Sequence, residues 1–131
     1  MATDKDIENY FEELELSYQK ISDGVWILSL EEQGIDNLVI NHEEPILLFR
    51  IKLMDAPKKN REQFFKRLLE LNATDLTHGA YALEGENVVL INTLQSENLD
   101  LNELESSIDA LSFAAIQHYD ELSGYREKRS S

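Results

Sequence analysis

The sequence predicts an α+β domain with a mainly antiparallel sheet flanked by helices, in the order α-β-β-β(β)-α-β-β-α. Three observations carry that expectation. Apolar residues near the ends and in the middle recur at helical spacing, as in Ile7, Tyr10, Phe11 and Leu14. Between these stretches apolar residues alternate, as in Leu47, Phe49, Ile51 and Leu53. The links between alternating segments are short and turn-like, which joins neighbours in antiparallel fashion.

The first helix is expected from Thr3 to about Leu16. Thr3 and Asp6 have the spacing of a capping box, in which each side chain satisfies a free backbone N–H. SYQKIS and VWILSL follow around Asp23-Gly24, where glycine supplies the positive φ of a tight turn. Whether residues 17–21 pair in the sheet is left open by their weak pattern. NLVIN and ILLFRIKLM are the next strands, separated by His42-Glu43-Glu44-Pro45. In the second of these, Leu47, Phe49, Ile51 and Leu53 point one way, while Ile46, Leu48, Arg50 and Lys52 point the other.

Pro57 suits a first helical turn, so the middle helix is expected to start there and to run to about Asn72. GAYAL and NVVLINTL read as a hairpin around Glu84-Gly85-Glu86. The last helix has the strongest start signal. Asp100 caps it, Glu103 reaches back, and Leu99 with Leu104 forms a hydrophobic staple. It continues to about Ser123, before Gly124. One domain spans residues 1–125, and residues 126–131 are expected to form a frayed tail.

The chain carries 26 acids and 12 bases, a formal charge of −14. Such a surface repels phosphate backbones, which argues against nucleic acid as a partner. The charge is uneven: residues 45–78 hold seven bases and four acids, between two strongly acidic flanks. Lys58, Lys59 and Arg61 fall in the expected first turns of the middle helix, where the macrodipole disfavours cations. They are either solubilising charge or a contact made elsewhere.

No cysteine is present, so a disulfide framework, a thiolate metal site and a cysteine nucleophile are excluded. His42, His78 and His118 lack metal-ligand spacing and read as turn or surface residues. Nucleophile-elbow and phosphate-loop motifs are missing. The expectation is a non-enzyme without cofactor or metal. The acidic N-terminus has no apolar stretch and no run approaches the ~20 residues of a membrane span, which points to a cytoplasmic protein without membrane contact.

One feature of the middle helix asks for a partner. In REQFFKRLLELN, Phe64, Leu68 and Leu71 form one stripe, and Phe65 with Leu69 forms a second. One stripe docks a helix on its own domain. Leaving Phe65 in water forgoes roughly 1.5–3 kcal/mol of burial. Phe113 poses the same problem on the last helix, as do Ile46 and Leu48 on the mixed strand face. Either another helix covers these residues or they form an intermolecular surface.

NREQFFKRLLELN, HGAYALEGENVVLINTL and LDLNELESSIDAL together resemble the YbjN-like and type III secretion chaperone-like (Tir chaperone-like) group of small acidic bacterial proteins. The resemblance covers nearly the whole chain and is strongest from Asn60 to Leu111. It implies a homodimer in which Phe65 and Leu69 meet a symmetry mate; Phe113, surplus on the last helix by its spacing, is a further candidate for the dimer interface. It also implies that Trp26, Ile46 and Leu48 offer pockets to an extended client or regulator segment. Trp26 alternates with Leu28 and Leu30, which is also the pattern of a core residue. The competing expectation is a small-molecule-binding regulatory domain with its pocket near Trp26 and Tyr81.

Overall fold

The computed structural model describes residues 2–76 and 78–125. Residues 126–131, expected as a frayed tail, lie outside the described residues. Helix α1 spans Asp4–Glu13, followed by strands β1 (Ser17–Ser22) and β2 (Val25–Leu30). A single 3-10 turn at Glu31–Gln33 leads to β3 (Ile35–Glu43) and β4 (Ile46–Asp55). Helix α2 (Arg61–Thr74), strands β5 (Ala80–Glu84) and β6 (Asn87–Gln95) and helix α3 (Leu101–Ser123) follow among the described residues. All six strands form one antiparallel sheet in the order β1-β2-β3-β4-β6-β5. SYQKIS therefore does pair, as an edge strand.

Both capping boxes form. The Thr3 hydroxyl accepts from Asp6 N–H while the Asp6 carboxylate accepts from Thr3 N–H. Asp100 and Glu103 do the same for α3, with Leu99 and Leu104 buried beside them. α1 is shorter than its apolar pattern suggests. Glu15 adopts a left-handed conformation at φ 59°, and Leu16 N–H returns to Phe11 C=O at 2.9 Å. That closure stops the helix and turns the chain into β1.

The middle helix begins four residues later than expected, at Arg61. Asn60 stands before it in a left-handed conformation at φ 57°. Lys58 and Lys59 thus precede the helix, and the macrodipole argument does not apply to them. Arg61, at the first turn, donates to Pro57 C=O and to the Glu86 carboxylate and lies over the Phe65 ring. These contacts offset an unfavourable position for a cation.

The core lies between one face of the sheet and all three helices. Cross-strand register places Trp26, Ile40, Phe49 and Asn92 in one row of that face. Leu28, Leu38, Ile51, Leu90 and Tyr81 form the next. Ile7 and Phe11 of α1, Phe64, Leu68 and Leu71 of α2, and Leu104, Leu111 and Ala115 of α3 complete it. α1 closes over Trp26, whose ring meets Phe11 edge-on at 5.5 Å and whose Nε1–H donates to Glu8 at 2.9 Å. α3 lies over β6 and β4, and α2 covers β5, tied to α3 by the Arg67–Glu121 ion pair.

Candidate partner-binding site

With α1, α2 and α3 on one side, the other sheet face carries no helix among the described residues. Alternation sends Val25, Asn41, Leu48 and Thr93 to this face in one row, and Ile27, Val39, Arg50, Ile91 and Ala80 in the next. Ile46 extends it toward the β3–β4 turn, opposite Gln95. These apolar side chains shelter one another, so most are half-buried, while Ile46 is 40% exposed. Toward β5 the face changes character. Arg50 reaches the Glu84 carboxylate at 3.3 Å and Lys52 reaches Asp55 at 2.8 Å. One end is an apolar platform and the other carries ion pairs.

Ile46 and Leu48 therefore share a surface. Trp26 does not belong to it: it projects to the helix side and is fully buried. Alternation explains this, because Trp26 pairs in register with Ile40, whose side chain is core. Tyr81 is buried as well, against His118.

On α2 the two stripes separate as their spacing requires. Phe64, Leu68 and Leu71 are buried, Phe65 is half-buried beneath the Arg61 guanidinium, and Leu69 is 68% exposed. Phe65 and Leu69 lie one turn apart on the flank of α2 opposite Arg67, the residue that faces α3. Phe113 is 67% exposed on the outward side of α3 and stands apart from that pair.

The two sheet edges differ. Beside β5, Asn72 of α2 occupies the position of a further strand. Its carboxamide oxygen accepts from Tyr81 N–H at 2.7 Å, and its amide donates to Tyr81 C=O at 3.2 Å. On the outer side of β1 no strand pairs among the described residues, and five of its six residues are exposed, Ile21 among them. β1 is thus the edge open to an added strand.

Two histidines read from sequence as surface residues are buried. His42 Nδ1 lies 2.7 Å from Asp4 Oδ1, joining β3 to the start of α1. His118 sits between the Tyr81 hydroxyl at 2.8 Å and Asp75 at 3.3 Å, joining α3, β5 and the end of α2. Burial raises the Tyr81 phenol well above its ordinary range. Asp75 is held below the usual carboxylate value, first by the Thr74 hydroxyl and then by His118, against desolvation. No sequence spacing foretold these links, since the partners lie 37 and 43 residues away. Among the described residues no three potential metal ligands cluster, and no helix is long and apolar enough to cross a membrane.

The architecture is that of a small α+β protein with one antiparallel sheet whose helices all lie on one face. The chain belongs to the CesT_Tir_1 family, a type III chaperone family, which it matches over residues 1–128. No curated protein sequence matches it. Among solved structures it is similar to the heterodimeric ExoU–SpcU complex of the Pseudomonas aeruginosa type III secretion system. The identity is 19% and the TM-score 0.70, with 92% of this chain and 98% of that chain covered. It is also similar to YbjN from E. coli, at 12% identity and a TM-score of 0.69, over 89% and 91% of the chains. The HopA1–SchA chaperone–effector complex follows at 14% identity and a TM-score of 0.60, over 91% and 88%. At these identities the likeness shows the fold, and it agrees with the α+β, YbjN-like and secretion chaperone-like architecture expected from sequence.

Proposed function

We propose that this protein is a non-catalytic, homodimeric chaperone-like module that holds an extended segment of a client or regulatory protein. The observation that carries the reading is the bare sheet face with Ile46 and Leu48 at its apolar end. Water contact there is unfavourable, and a partner side chain set onto it recovers about 25 cal/mol per Å² of apolar area covered. The unpaired β1 edge beside it supplies main-chain hydrogen bonds, and the apolar platform supplies side-chain selection. Two similar structures are complexes with protein partners, an observation that favours a protein client over a small molecule. The strongly acidic surface keeps such a protein soluble.

Leu69, with Phe65 beneath it, is the proposed contact between two copies. It is 68% exposed on an amphipathic helix, so a second copy would cover apolar area that this chain leaves in water. Phe113, 67% exposed on α3, is a further proposed contact.

The reading is tested by capture from the native lysate with wild type and with Leu48→Glu. The same defined protein recovered by wild type and lost by the variant supports it. Equal recovery by both removes the sheet face from the binding site.

A further inference from the structure

A second surface, distinct from the bare sheet face, runs along α3. Ile108, Ser112, Ala115 and Tyr119 fall on one line of the helix at spacings of four, three and four. Asp109, Ile116 and Asp120 form the line beside it. Against these lines lie the end of β2, the 3-10 turn and the start of β3. Two hollows of about 470 and 490 Å³ open between them and share Gln33. They lie end to end along α3 from Ile108 to Asp120, a span of about 18 Å at 1.5 Å per residue, and the pair is termed the groove.

The floor is made by apolar side chains, most of them largely buried. Leu14, Leu16, Leu30 and Ile108 line one half; Ile35, Ile51 and Leu53 line the other. Ile116, 50% exposed, stands on the wall, and Phe113 stands on the outward side of α3 next to it. The rim is acidic: Glu15, Glu31, Glu32 and Asp109 border the first half, Asp36 and Asp120 the second. Among the described residues none of these six carboxylates makes a salt bridge. The groove's lining holds one cation, Lys52, already paired with Asp55 at 2.8 Å.

We infer that this groove takes a basic amphipathic segment of a partner protein, apolar side chains inward and Lys or Arg outward. An apolar floor selects for side chains that leave water, and unpaired carboxylates on both sides select for cations over anions. The length matches about three helical turns of a bound segment. The inference rests on the reading of the protein as a partner-binding module and assigns a second binding surface with its own specificity.

The test uses three labelled synthetic peptides of about four helical turns. One carries Leu and Lys at amphipathic helical spacing, one has the same composition scrambled, and one replaces every Lys by Glu. Fluorescence anisotropy reads their affinity for the full chain. The Leu/Lys peptide is expected to bind, more tightly at low salt, and the Glu peptide is not. Replacing the rim with Glu31→Gln, Glu32→Gln and Asp109→Asn is expected to weaken binding by roughly tenfold or more. Ile116→Ala is expected to weaken it severalfold. Leu48→Glu, on the other sheet face, and a distal triple variant, Glu43→Gln, Glu44→Gln and Glu97→Gln, are expected to leave it unchanged. Equal binding of the scrambled peptide, equal loss in the distal variant, or no binding at all overturns the inference. Because client capture is read through Leu48→Glu, failure here is separable from failure of the proposed function.

Discussion

Asn72 grips the backbone of Tyr81 at both its N–H and its C=O, so a helix side chain takes the place of a strand partner at that residue of the sheet edge. One edge of the sheet is thereby guarded at Tyr81, while β1, at the other edge, has no such guard among the described residues. Edge strands left bare are templates for association, and proteins blunt the ones they do not use.

Asn72→Ala removes the guard and leaves two backbone groups of Tyr81 without protein partners. The expected loss is about 1–3 kcal/mol of stability, together with concentration-dependent association at β5. Urea unfolding and light scattering check the two parts separately. An unchanged midpoint with no association contradicts the role given to this side chain.

Trp26 serves the core. Truncation to alanine opens a void beneath α1 and leaves Glu8 without its indole donor. The expected cost is about 3–5 kcal/mol. Trp26→Phe keeps most of the volume, and its partner capture is expected to match wild type. A capture defect in a folded Trp26→Phe protein contradicts a purely structural role.

Asp75 links acidity to stability. Its carboxyl titrates lower in the folded chain than its ordinary value of 3.8. The stabilisation is therefore present above 3.8 and is lost as pH falls through the depressed folded value. Asp75→Asn is expected to be less stable than wild type at pH 5, with the gap narrowing below pH 3.8. Thermal melts across that window check it. A gap that stays constant into strong acid contradicts the assignment.

Much of the fold was legible because its signals are local. Both capping boxes, the Gly24 turn and the Gly85 hairpin depend on residues within a few positions of each other. The start of α2 was misplaced because Pro57 is compatible with a first helical turn without compelling one, and the left-handed Asn60 intervenes. Phe65 and Leu69 could be paired from spacing alone, since both lie on one helix. Trp26 could not be separated from Ile46 and Leu48 so easily. Facing depends on the register between strands and on which face receives the helices, and neither is written in a single strand. His118 and His42 were missed for a related reason: their partners come from distant elements that only tertiary packing brings together.

The central claim is that apolar surface left bare on one chain is covered by another. Leu69 tests it most directly, because its exposure makes a polar replacement harmless to the folded chain itself. The measurement is the solution mass of wild type and Leu69→Glu by light scattering at micromolar concentration. The account predicts twice the 15.1 kDa chain mass for wild type and a folded species of single-chain mass for the variant. A monomeric wild type, or a variant that remains fully dimeric, contradicts it.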